Sequence, residues 1–285
     1  MEPSGLEFTG QWPVFTERDD PGEVNDLLFA AGLGDGLPLV VPTPSRISAA
    51  LGHTPPLPGH TLTSRGHLPP MMGALTPAAV AYQCTIAGCL PGAMPVVMAA
   101  LRACLDEKFN LLGLLTTTGT PAVALVVHGP IRAQLGFNSS TNCLGPGNRT
   151  NATVGRALSL SLRNIAGARE GVGDMATMGQ PGKYSFCFAD LDTAEMESHA
   201  AAKLQGQSGV TVFGVSGTVE VLPNGGGHTP PEILTPVAAA MVGAMTASSG
   251  GRARGLGEQL VLVPPELVHS LSNHGWARED IQAFL

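Results

Sequence analysis

Charge is what this sequence lacks most. Only 13% of its 285 residues are charged, with 22 acidic against 15 basic side chains and a net charge of −7. An acidic, charge-poor chain argues against nucleic acid or an anionic membrane as partner. Such a surface suits subunit contacts, so a homo- or hetero-oligomer is expected. Long uninterrupted apolar runs are missing as well, because Pro, Gly or polar residues break each one, and no membrane span is expected. The start, MEPSGLEFTGQW, has neither a basic lead nor an apolar stretch, so a cytoplasmic location is expected. There is no GxSxG, HExxH or CxxC and no paired-carboxylate pattern, which removes the common serine-hydrolase and zinc-peptidase signatures. Five cysteines read as free thiols in that compartment.

What remains is 44% hydrophobic, enough for a sizeable core in one large domain or two closely packed subdomains. Residues 1–35 form an irregular lead with a short helix over Gly22–Ala31, and residues 36–285 form the main domain, with a subdivision near 168–180. The prolines flanking LPLVVP (37–42) mark a short buried strand. Ser45 caps a helix through Leu51. Thr76-Pro77 opens a helix that stops near Gly88, and a second helix covers Ala93–Asp106. PAVALVVH (121–128) is the clearest strand, followed by a short helix at Ile131–Leu135. Further strands are expected at Tyr184–Phe188, Val210–Phe213 and Gln259–Val263, with helices at Leu234–Ala247 and Pro265–Ser272. In Asn151–Ala166, Val154, Leu158, Leu162 and Ile165 form one apolar stripe. Strands alternating with helices predict an α/β fold, a mixed sheet with flanking helices.

One polar island interrupts this apolar chain: GFNSSTNC followed by LGPGNRTNATVGR, residues 136–156. Arg149, Arg156 and Arg163 are seven residues apart and so share one face of the expected helix, with Arg149 at its start. A helix start carries free N–H groups and about half a positive charge, and Gly145 and Gly147 permit close backbone approach. Together with Asn142, Asn148 and Asn151, these residues outline a seat for a small carboxylate or phosphate. The alternative is that Asn148 or Asn151 merely caps the helix and the arginines are solvated. The stretch is not a P-loop, because the Lys-Ser/Thr pair is absent.

Candidate nucleophiles are Cys89, at a helix end before a new helix begins, and Cys187, in the strand KYSFCF. Cys84 and Cys89 are five apart. On a continuous helix that puts them about 140° out of register, unless the helix ends between them, which Gly88 permits. Cys104 reads as core and Cys143 as accessible. His128 ends a strand where α/β proteins place ligands, and His228 follows three glycines; either suits a general acid or base. Lys183, before a strand, could pair with an anion. No metal ligand set stands out, and no cofactor is specified. A metal-dependent hydrolase built on His60, His67 and a cysteine is the third choice.

Seven segments resemble, together, a bacterial family with no settled mechanism: DGLPLVVPT (35–43), AGCLPGAMPVVMAAL (87–101), FNLLGLLTTTG (109–119), VVHGPI (126–131), GFNSSTNCLGPGNRTNATVGRAL (136–158), GQPGKYSFCFAD (179–190) and HGWAREDIQAFL (274–285). Family versions read DGLPVVPPT, AGCRPEYLPVV, GPGNRANATIGRA, PGKYSFCFAE and DGWSKADV. The resemblance puts Asp35, Cys89, Asn148, Arg149, Asn151, Arg156, Lys183 and Cys187 within family-like motifs; Cys84, Cys104 and Cys143 have no counterpart there. Asp190 stands where the family has Glu, and Gly-Gly-Gly-His where it has a segment such as Asn-Asp-His-Gly. The family's association with small proteins bearing a Cys-Gly-Ser-Cys or selenocysteine motif implies thiol or selenol chemistry. The resulting expectation is an enzyme using Cys89 or Cys187, with His128 or His228 moving protons, to make, break or reduce a carbon–heteroatom bond in a small anion. The second is a binding or scaffold subunit whose catalytic thiol sits on a small partner protein.

Overall fold

The computed structural model describes residues 12–53, 66–191, 193, 195–196, 199–226, 228–249 and 258–285. His60 lies outside them. The chain divides into two units: residues 1–190 with 204–217, and residues 191–203 with 218–285.

The first unit begins with helices α1 (Pro21–Ala30) and α2 (Pro44–Leu51), each with proline in the first turn after a side-chain cap, Asp20 and Thr43 respectively. A two-residue hairpin, β1 (His67–Leu68) and β2 (Gly73–Ala74), leads into α3 (Pro77–Ala87). Thr76 caps α3, its hydroxyl accepting from the Ala79 N–H at 3.1 Å. Then come α4 (Met94–Ala103), α5 (Leu111–Thr116), β3 (Ala122–His128), α6 (Ile131–Leu135), α7 (Arg149–Asn164), β4 (Cys187–Ala189) and β5 (Gly209–Val215); between these last two strands the chain forms α8 (His199–Leu204), all but its last residue in the second unit. The sheet runs β4-β3-β5, with β4 parallel and β5 antiparallel to β3. This is the expected mixed α/β arrangement.

β3 is buried along its whole length, as befits a central strand. α3 is buried on nearly every side, from Ala79 to Ala87, and packs against α2, α4 and α7. Its Tyr82 donates to the Pro13 carbonyl at 2.8 Å and stacks near Trp12, ring centroids 5.1 Å apart. The predicted stripe on α7 is all buried: Val154, Leu158, Leu162 and Ile165.

LPLVVP is not a strand. Pro38 and Pro42 have no N–H to give a ladder, and the segment is held instead by other groups. Asn25 brackets Leu39, donating to its carbonyl at 2.9 Å and accepting its N–H at 2.7 Å. The Val40 N–H donates to Ile86 O at 3.0 Å. The strand expected from Tyr184 starts only at Cys187, because Pro181–Lys183 is a 3₁₀ turn that runs into Tyr184.

The second unit contains α9 (Pro230–Ser249), α10 (Pro265–Asn273) and α11 (Arg278–Phe284). Ile233, Leu234, Leu271 and Ile281 make its small core, with Trp276 edge-on to Phe284 at 5.7 Å. Gln259–Val263 is not a strand here either. Among the described residues, no helix is long and apolar enough to cross a membrane.

Candidate functional site

The centre of interest begins at the end of α3. Gly88 adopts left-handed backbone at φ 84, the Gly88 N–H donates to Thr85 O, and the Cys89 N–H donates back to Cys84 O at 2.9 Å. This paired bonding is a Schellman motif, which reverses the chain and sets the side chain three residues before the end of the helix beside the one just past the glycine. Those two side chains are Cys84 and Cys89. The glycine thus removes the angular separation a continuous helix would impose, and the two thiols become neighbours. Cys84 is 2% exposed, whereas Cys89 is half-buried. The contact with Cys89, followed by burial, pushes the Cys84 thiol well up.

Cys89 is also tied to α7. Its Sγ donates to Thr153 O at 3.2 Å, Thr153 Oγ1 donates to Arg149 O at 2.9 Å, and Arg149 donates through Nε and Nη2 to Gly88 O at 3.3 and 3.0 Å. These bonds close a ring through residues 88, 89, 149 and 153. The Arg149 side chain is thereby pinned one residue from the thiol. Arg149 itself is exposed, and its Nη1 has no protein partner among the described residues.

The polar island serves mainly to build this corner. Asn148 caps α7, accepting from the Asn151 N–H at 2.8 Å, and its amide donates to Gly136 O. Asn151, 3% exposed, accepts from Asn138 N–H and donates to Asn138 O and Cys143 O. Asn142, at φ 61, donates to Pro146 O at 2.7 Å. Gly147 lies at φ 120 with open space around it. The asparagine amides therefore hold loop backbone rather than point at a ligand.

The three arginines of α7 share a face but have separate partners. Arg156 grips Asp35 through Nε and Nη2 at 2.8 and 2.7 Å and also donates to Pro38 O and Leu37 O. Burial opposes ionisation of Asp35, but the Arg156 hydrogen bonds and charge, with the Leu37 N–H, outweigh it and hold the carboxyl below its usual range. Arg163 pairs with Glu170. Of the arginines expected to converge on one anion, Arg149 alone stands at the thiol corner; Arg156 is a clasp for the 35–38 segment.

Cys187 reaches the same corner from β4. Gly155 makes this close approach feasible: a Cβ there would lie 2.4 Å from Ser185 Oγ, 2.9 Å from Cys187 Cβ and 3.0 Å from Phe186 N. Burial, then the neighbouring Cys89, raises the Cys187 thiol. Cys104 is 1% exposed and its thiol is pushed up to about 12 by burial alone.

His128 is elsewhere. Side chains alternate along a strand, and Leu125 pairs with Cys187 in register, so Cys187, Leu125 and Val127 face the core while Val126 and His128 face the opposite side of the sheet. There His128, 5% exposed, sits between Asp190 (Nδ1···Oδ2 2.7 Å) and Thr211 (Nε2···Oγ1 2.9 Å). Arg132 pairs with Asp190 at 3.5 Å. The sheet separates this relay from the thiols. His228 belongs to the second unit and is exposed, its N–H donating to Glu232 at 3.0 Å.

Lys183 grips Asp174 with contacts of 2.7 and 2.6 Å. The pair lines a cleft of about 530 Å³ together with Arg163, Glu170, Ser159 and Gln180. Each cation in that cleft already has its carboxylate. His67 is exposed, and among the described residues no group of three or more His, Cys, Asp or Glu side chains could hold a metal ion.

Comparison with protein-family models, with curated proteins and with solved structures gives no match. Thr153, Thr211 and Arg132 were not among the expected site residues, and Cys84 was weighed only for its spacing from Cys89. Only Cys84 had a usable signal, the glycine between it and Cys89. The others are long-range partners that become neighbours only once the sheet and α7 are in place.

Proposed function

We propose that this chain is an enzyme that acts on a small anionic substrate through the thiol of Cys89, making, breaking or reducing a carbon–heteroatom bond. The observation that carries the reading is the pinned corner. Cys89 is the half-exposed member of a group of three sulfurs, and an exposed guanidinium whose Nη1 meets no described residue is fixed one residue away. A thiolate formed there has a cation beside it, and the same cation can receive a substrate carboxylate or phosphate. In the resting protein Cys84 and Cys187, both buried with raised thiols, stay protonated and leave Cys89 as the first sulfur to attack. His128 takes no part in this reading, being on the far side of the sheet.

The test is protection. Small carboxylates, sulfonates and phosphates are screened for slowing the alkylation of Cys89 in the native protein, followed by peptide mass. A class of anion that protects Cys89, and ceases to do so in Arg149→Met, supports the reading. Protection by none of them, with Cys89 inert to alkylation, counts against it.

A second reading has one specific observation in its favour. Met71, Met72, Val172, Met175 and Met178 are 45–87% exposed on two adjoining segments, joined by the Met71 N–H to Ala166 O bond. Exposed, adaptable methionines suit a protein partner. Co-purification with a small thiol protein, without a reactive Cys89, would favour a binding subunit over an enzyme.

A further inference from the structure

We propose that Cys89 and Cys84 form a dithiol–disulfide pair that exchanges with small disulfides, Cys89 as the entering thiol and Cys84 as the resolving one. The proposal rests on the reading of Cys89 as the reactive sulfur and assigns a partner to it. Its basis is backbone geometry. The Schellman turn at Gly88 binds the Cys89 N–H to the Cys84 carbonyl at 2.9 Å and turns both side chains to the same side. Their exposures differ in the way the two roles require. Cys89 is reachable from solvent, whereas Cys84, 2% exposed, can be reached only by a sulfur already inside the protein. Thr153 O, which accepts from Cys89 Sγ at 3.2 Å, fixes the direction of the entering thiol.

The chemistry balances with a small disulfide, RSSR, as the only co-reactant. Cys89 loses its proton and its sulfur attacks one sulfur of RSSR. The S–S bond breaks, one RS⁻ leaves and takes a proton, and Cys89 is left as a mixed disulfide. Cys84 then loses its proton, and its sulfur attacks the Cys89 sulfur. The second RS⁻ departs and is protonated. Two protein thiols have been oxidised to one disulfide, and RSSR has been reduced to two RSH. Contact and burial hold the Cys84 proton tightly, so the second step quickens as pH rises.

Cys187 is the competing resolver, since it too neighbours Cys89. Proteolysis separates the two outcomes. Residues 66–102 contain Cys84 and Cys89 with no internal Lys or Arg before Arg102, whereas Cys187 falls in the tryptic peptide 184–203. A Cys84–Cys89 disulfide is therefore one peptide lacking two hydrogens; a Cys89–Cys187 disulfide is a cross-link between two peptides.

The experiment incubates the native full chain with oxidised glutathione, quenches with iodoacetamide and maps the peptides. The expected result is the internally oxidised 66–102 peptide, with glutathione on Cys89 only transiently. Cys84→Ser, and Cys84→Ala as a second variant in case a buried hydroxyl disturbs α3, should trap glutathione on Cys89 as a stable adduct. A lasting Cys89–glutathione adduct in the wild-type protein, or a Cys89–Cys187 cross-link, overturns the pair while leaving Cys89 as the reactive thiol. No adduct in wild type or in either Cys84 variant overturns both the pair and the reading of Cys89 beneath it.

Discussion

Replacing Asp35 by Ala removes the one carboxylate that meets Arg156 among the described residues. Both side chains are largely buried, at 13% and 12% exposure, and the contact is two-pronged at 2.7 and 2.8 Å. Breaking a buried pair from one side strands the other charge and costs about 3–5 kcal/mol. Arg156 keeps the carbonyls of Leu37 and Pro38, so the lower end applies, about 3 kcal/mol. At roughly 2–4 °C per kcal/mol for a unit of this size, the melting point should fall by about 6–12 °C. The assay is urea unfolding read by the fluorescence of Trp12, which stacks on Tyr82 inside the first unit, in a Trp276→Phe background that silences the second. The pH dependence has a definite sign. The carboxyl of Asp35 is held below its usual range in the folded protein, so its contribution is complete above the unfolded value near 3.8 and is lost as pH falls through the lower, folded value. Wild type and Asp35→Ala should therefore converge only in strong acid. The double variant Asp35→Leu/Arg156→Met should recover much of the loss, because neither charge is then stranded. A single variant within about 1 kcal/mol of wild type at neutral pH would show the clasp to be no stronger than a surface pair and refute the reasoning.

Gly155→Ala places a methyl group against Ser185, Cys187 and the Phe186 backbone, so it should destabilise the first unit by about 1–3 kcal/mol and speed alkylation of Cys187 as β4 lifts from α7; peptide mass after iodoacetamide checks it. His128→Gln breaks the relay with Asp190 and Thr211 and should lower stability by about 1–3 kcal/mol. Because His128 lies across the sheet from the thiols, it should leave the alkylation rate of Cys89 unchanged, and a slowed Cys89 would show that the sheet does not insulate the two groups.

Local chemistry made much of the first unit readable. Thr76-Pro77 and Gly88 fixed both ends of α3, Asn148 capped α7, and the stripe from Val154 to Ile165 met the core. The failures have a common cause, namely backbone groups satisfied by distant side chains. LPLVVP has the composition of a buried strand, but Arg156 and Asn25 bind its carbonyls and, among the described residues, no strand pairs with it. Three arginines at a seven-residue spacing suggested one anion seat, yet what each one meets, Gly88 O, Asp35 or Glu170, is set by loops remote in sequence. The thiol corner was partly legible, since Gly88 between Cys84 and Cys89 is a local signal. The approach of Cys187 was not, because it depends on Gly155, a helix away. His128 was correctly placed at a strand end, but the face to which its ring turns follows from strand register, which a single sequence does not display.

The central claim, that Cys89 is the reactive thiol beside a fixed cation, is tested most directly by competitive alkylation of the native protein with iodoacetate and iodoacetamide. A guanidinium near the incoming carboxylate contributes about 1 kcal/mol in a watery setting, roughly a fivefold bias. Cys89 should be labelled before Cys143, Cys84, Cys104 and Cys187, with a preference for iodoacetate that is several-fold above that of the urea-unfolded chain and disappears in Arg149→Met. Labelling of Cys143 ahead of Cys89, or a reagent preference at Cys89 identical in the native, unfolded and Arg149→Met proteins, would contradict it.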